Sequence, residues 1–210
     1  MWHIIRIIHI KLLARIGNWT LYLADGFPLP ICHLARANHS RLFKDKAARS
    51  YCAAKDEHYY GFKVLLVTTE SGITIDYAID AANVDERVLL KNTNVPANST
   101  IIADKGFIGN AFALSLEQQA NIKLLTPTRK NMLQQISHKL AKTIVTIRKR
   151  IETTISQLTE SFNINSTKAR SFHGLIGRIN RKILSYTTAL FFNYQIVKDQ
   201  FTQLELLIQA

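Results

Sequence analysis

Thr20-Leu21-Tyr22-Leu23-Ala24-Asp25-Gly26-Phe27-Pro28 and Thr100-Ile101-Ile102-Ala103-Asp104-Lys105-Gly106-Phe107 decide how this chain folds. Each is a short apolar run that closes on an aspartate just before a glycine-bearing corner. Short apolar runs bounded by turn signals read as buried strands, so each aspartate is predicted at a strand end. A third acid, Glu152, lies inside a helical pattern and follows Arg148, Lys149 and Arg150. Two carboxylates at strand ends and one on a helix suit a pair of divalent cations, an arrangement that drives phosphoryl transfer on nucleic acid. Each acid also has a plainer reading. Aspartate before glycine often opens a turn, and Glu152 is an i,i+4 partner for Arg148, worth about 0.2–0.5 kcal/mol.

Working outward, residues 21–25, 60–69 and 73–79 read as strands, the last two as a hairpin turning at Glu70-Ser71-Gly72. Residues 83–91 read as a short helix with Asn83 as cap, 100–104 as the fourth strand, 110–119 as helix and 122–126 as a strand stopped by Pro127. After a polar stretch at 129–138 a long helix carries an apolar stripe of Ile144, Ile147, Ile151, Ile155, Leu158 and Phe162, in steps of three or four. A polar break at 163–167 precedes a basic helix over 174–192, and 194–210 adds a last helix. The fold class is α/β. The order is that of an RNase H-like mixed sheet flanked by helices, with a helical C-terminal extension. Residues 1–20 are expected to form an N-terminal helix, 21–175 the catalytic domain and 176–210 the extension. Such a sheet sets the first and fourth strands side by side, with Asp25 and Asp104 outside their carboxyl ends, where open α/β sheets bind ligands.

Composition points to a polyanionic partner. Among 210 residues, 27 Lys and Arg outnumber 15 Asp and Glu, a net charge of +12. Between Arg129 and Lys182, twelve basic residues face only Glu152 and Glu160, so this stretch carries +10 of that charge. A hydrophobic share of 47% supports a core and argues against disorder. Cys32 and Cys52 give no disulfide framework and read as free thiols. Cys32-His33 and Cys52 with His58 lack the paired spacing of a zinc site. The first 19 residues are apolar but broken by Arg6, Lys11 and Arg15, which argues against a membrane span. A basic amphipathic helix lying on a membrane and a helix packing on the following domain are both open readings, the second favoured.

Leu23-Ala24-Asp25-Gly26-Phe27-Pro28-Leu29-Pro30, Tyr59-Tyr60-Gly61-Phe62-Lys63, Ile102-Ala103-Asp104-Lys105-Gly106-Phe107 and Arg148-Lys149-Arg150-Ile151-Glu152, in that order, resemble the catalytic domain of DDE transposases of bacterial insertion sequences. The resemblance implies that Asp25, Asp104 and Glu152 are the catalytic triad and the ligands of two Mg²⁺ ions, with Mn²⁺ able to substitute. It implies metal-dependent DNA strand cleavage and strand transfer. It also implies DNA as partner (element ends and target), a homo-oligomer on DNA, no membrane, and a cytoplasmic, nucleoid-associated location. The basic residues read as DNA-contacting are Arg36, Arg41, Lys63, Lys105, Arg148, Lys149, Arg150, Lys168 and Arg170, with a solvated loop an equal reading for the segment that holds Arg36 and Arg41. In the family's final helix a Tyr, an Arg and a Glu recur at set spacing, followed by a Lys. Arg148 and Glu152 fit that pattern, whereas Val145 and Thr159 replace the Tyr and the Lys. Only 24 residues precede Asp25, so a truncated, inactive chain is a further expectation. A nuclease or resolvase without strand transfer and a non-catalytic DNA-binding remnant are the alternatives.

Overall fold

A computed structural model describes residues 2–53, 56–129 and 136–196. Its centre is a six-stranded mixed sheet. Strand β1 (Leu21–His33) pairs antiparallel with β3 (Glu57–Thr69), which pairs antiparallel with both β2 (Ala48–Cys52) and β4 (Thr74–Ala81). On its other side β1 pairs parallel with β5 (Thr100–Ala103), and β5 with β6 (Lys123–Leu125). Apart from β2, the order β4-β3-β1-β5-β6 is the RNase H-like arrangement the sequence predicts.

The sheet alternates its side chains between two helical layers, as a pleated strand must. Tyr22 and Ala24 of β1, with Ile101 and Ala103 of β5, pack toward α2 (Glu86–Lys91) and α3 (Asn110–Ala120). Leu23 and Ile102, between them, pack against Ile144 and Ile151 of α4 (His138–Glu160). Further along that face Phe27, Leu29, Phe62, Val64 and Leu66 meet α5 (Phe172–Ile196) through Leu175, Ile179, Ile183, Tyr186 and Leu190. Helix α1 (Trp2–Ile16) lies on α5 and β4: Arg6 pairs with Asp76 and His9 bonds Thr187.

Helix α4 is anchored by the β3–β4 turn. Gly72 has φ +83°, a conformation suited to glycine, and a Cβ there would fall 2.4 Å from Arg150 Nε. Its carbonyl accepts from Thr154 Oγ1 and from the Tyr186 hydroxyl, while Arg150 Nε donates to the Ser71 carbonyl. Ser137 caps the helix by accepting from the Leu140 amide.

Several expected boundaries move. β1 does not stop at Asp25 but runs to His33, because β3 offers antiparallel partners as far as that residue, with one register shift between Pro30 and Cys32. What stops is the parallel pairing with β5, whose last partners are Ala24 and Ala103. Beyond that point β1 has an open edge, where Pro28 and Pro30 forfeit no ladder bond with β5. α2 starts at Glu86, capped by Asp85 rather than Asn83, since the Asp85 carboxylate accepts from the Arg87 amide. β2 occupies part of the basic segment after the first strand, which periodicity leaves as a loop. α5 runs unbroken through residues 175 and 176, with its buried face in the main core. The expected last helix lies mostly in residues 197–210, outside the described residues, as do residues 130–135 of the polar stretch.

Candidate active site

Strand alternation determines where the two aspartates point. Asp25 follows the Leu23 phase of β1 and Asp104 the Ile102 phase of β5, so both face α4. There Arg148 receives them. Its Nη2 is 3.3 Å from Asp25 Oδ2 and its Nη1 is 3.1 Å from Asp104 Oδ1. One guanidinium fork thus bridges two carboxylates from adjacent strands, 123 and 44 residues away in the chain. Asp25 and Arg148 are mostly enclosed, at 21% and 13% side-chain exposure, whereas Asp104 is open at 48%.

Burial pushes the Asp25 carboxyl up to about 6; Arg148 and the Gly26 amide pull against that rise, and Glu86 and Asp104 add to it. The Gly26 amide donates to Asp25 Oδ1 at 2.9 Å. Asp104 starts a 3-10 turn over Lys105–Phe107 without capping it through its side chain, so its carboxylate serves Arg148 instead of the local backbone.

The third expected acid is placed differently. Glu152 is exposed on α4, one turn after Arg148, and Arg148 turns to the aspartates rather than to it. Among the described residues no group of three or more His, Cys, Asp or Glu side chains stands close enough to hold a metal. The acid near Asp25 that sequence reasoning misses is Glu86, in the first turn of α2. Gly26, one residue past Asp25, follows the opposite phase and meets it: a Cβ at Gly26 would fall 2.7 Å from Glu86 Oε1. A Cβ at Gly106 would fall 3.2 Å from Glu86 Oε2. The visible signal was a glycine one or two residues after each aspartate, Gly26 and Gly106.

The expected DNA-contacting residues divide in two. Arg36, Arg41, Lys105, Lys149, Lys168 and Arg170 are exposed. Arg148 and Arg150 are engaged inside the fold, and Lys63 Nζ lies 3.6 Å from Glu86 Oε1 and donates to the Val84 carbonyl. Beside Gly26 a cleft of about 170 Å³ opens between Phe27, Pro28, Tyr51, Tyr59, Lys63 and Glu86.

The fold is an RNase H-like sheet, with two aspartates side by side just beyond its parallel strand pair. Residues 17–172 match the family model described as a transposase DDE domain, and the chain belongs to that family. No curated protein and no solved structure matches the chain significantly. Membership supports a transposase function with DNA as partner, and the family generally uses a divalent metal. No helix among the described residues is long and apolar enough to cross a membrane.

Proposed function

We propose that this chain catalyses DNA strand cleavage and strand transfer for an insertion sequence, using Asp25, Asp104 and Glu152 as catalytic and metal-binding residues. The observation that carries this is the shared guanidinium. Arg148 already stands as a cation between Asp25 and Asp104, so two hard carboxylate donors converge on one positive charge. That donor chemistry fits Mg²⁺, with Mn²⁺ as substitute. Asp25 and Asp104 would hold the ions from the strand side, and Glu152 from α4. When bound, the pair of ions supplies a Lewis acid and lowers the pKa of the attacking oxygen.

The chain's own groups supply the rest. Arg148 Nε is buried without a protein partner, so one donor of the guanidinium is not committed to the aspartates. Exposed Lys105, Lys149, Lys168 and Arg170 track the DNA backbone, and Arg36 and Arg41 extend that surface. The setting is the nucleoid of the cytoplasm, with several copies assembled on DNA.

The test is incubation with a DNA end carrying a free 3′-hydroxyl, with and without Mg²⁺. Joined product supports transposition. Cleavage without joining supports a nuclease or resolvase, and binding with neither supports a DNA-binding remnant. Asp104→Asn that cleaves normally removes the triad.

A further inference from the structure

We propose that Glu86 is a positioning residue for the catalytic aspartates: its carboxylate is the wedge that sets the spacing of the Asp25-Gly26 and Asp104-Lys105-Gly106 corners. This rests on the metal-binding role just assigned to Asp25 and Asp104. Glu86 sits on the opposite layer of the sheet from Arg148. Its Oε1 fills the space where a Gly26 side chain would start, and its Oε2 lies 3.2 Å from where a Gly106 Cβ would stand. One carboxylate therefore touches both corners at once, from behind. Its own place is held from two sides. Lys63 of β3 pairs with it and ties the β4–α2 connection down through the Val84 carbonyl. Asp85 caps the helix that begins at Glu86. The two layers divide the work: Arg148 draws the aspartates together on one face, and Glu86 props their corners on the other.

The geometry also explains the two glycines. An alanine at 26 needs the space that Glu86 Oε1 occupies, and a carboxylate at the end of a flexible side chain is what must move. Gly26→Ala should therefore act as Glu86→Ala does, by unseating the wedge.

The test is Mn²⁺ binding to the whole chain, read by electron paramagnetic resonance without DNA, counting only the signal that Asp25→Asn abolishes. Outer-shell partners of metal ligands are worth about 10–100-fold in affinity. Glu86→Ala should weaken binding about tenfold. Glu86→Gln keeps the volume and loses the charge, the pairing with Lys63 included, so it should weaken binding less than Glu86→Ala. Gly26→Ala should match Glu86→Ala, and the double variant should be no worse than either. If Glu86→Ala does not fold, Gly26→Ala alone carries the test, since it moves the carboxylate without removing it. Wild-type affinity in both variants overturns the inference and leaves the metal site standing. Equal, severe loss in Gln and Ala overturns it in favour of Glu86 as a direct ligand. No Asp25-dependent signal in the wild type overturns the metal-site reading itself, and this inference with it.

Discussion

Arg6–Asp76 and Arg148–Asp104 are ion pairs of the same length, 3.1 Å, with opposite characters. Asp76 is 7% exposed and fully used: one oxygen takes Arg6, the other accepts from the Asn94 amide and from Asn94 Nδ2. It fastens α1 and the segment after α2 to β4, and nothing is left over for a ligand. The other pair is under-supplied. Arg148 is shared between two carboxylates, one of them half exposed, and its Nε has no protein partner. A buried charge whose hydrogen bonds are complete is structural. A half-buried cluster with two carboxylates to one guanidinium is under-compensated, which is what supports the cation-binding role proposed above.

The largest effect should separate the two regions outright. Asp25→Asn should cut DNA cleavage about a thousandfold, on the order of 4 kcal/mol of barrier, while leaving the urea midpoint at neutral pH equal or higher. Asp76→Ala should do the reverse. It strands the Asn94 donors and Arg6, at a cost of about 3 kcal/mol in stability, with the cleavage rate of the folded fraction unchanged. A cleavage defect in folded Asp76→Ala equal to that of Asp25→Asn would erase the contrast.

A pH series sharpens it. In the metal-free chain at pH 5, Asp25 binds a proton when folded and not when unfolded, because burial raises it to about 6. Its contribution is therefore present at low pH and lost as pH rises through 6. His9, buried between α1 and α5, behaves oppositely. Burial lowers it to about 4, so it stays neutral when folded while the unfolded chain is protonated. Its contribution is present above the ordinary histidine value and lost as pH falls toward 4. Each is worth about 3 kcal/mol, so between pH 4.5 and 6 they nearly cancel. Urea midpoints of the wild type should be flat across that window. Asp25→Asn should lose stability toward acid, and His9→Gln should lose it toward neutrality. Parallel slopes in the two variants would contradict both assignments.

The smallest effect concerns DNA. Lys168 and Arg170 are exposed on the segment before α5. Replacing either with alanine should lower the salt dependence of DNA binding by about one unit of slope, equally for all sequences. Arg150→Ala, by contrast, should chiefly loosen the β3–β4 turn it holds, which thermal unfolding would read.

Much of this was legible beforehand. The apolar runs at 21–24 and 100–103 predict two strands whose next residues are acids, and the structure pairs those runs in parallel, Leu21 with Thr100 through Ala24 with Ala103. The stripe through Ile144, Ile151 and Leu158 predicts the buried face of α4, and those three are buried. Tyr59, Tyr60 and Phe62 are buried in the sheet. The full length of β1 was hidden by Gly26, Pro28 and Pro30, which signal a turn unless a strand has one open edge. β2 was hidden by its shortness and mixed composition, Ala48-Arg49-Ser50-Tyr51-Cys52, in which no side chain is fully buried.

The chain order of the other strands and helices, the phase of their buried faces and the two acids that close apolar runs follow from local periodicity, which neighbouring residues alone dictate. Which charged groups meet does not follow from it. Arg148 reaches Asp25 and Asp104 instead of Glu152, and Glu86 reaches Gly26 and Gly106, because α4 and α2 dock on opposite faces of the sheet at particular heights. Those heights depend on packing among distant residues, such as Thr154 and Tyr186 against Gly72. Charge and hydropathy patterns carry no record of them.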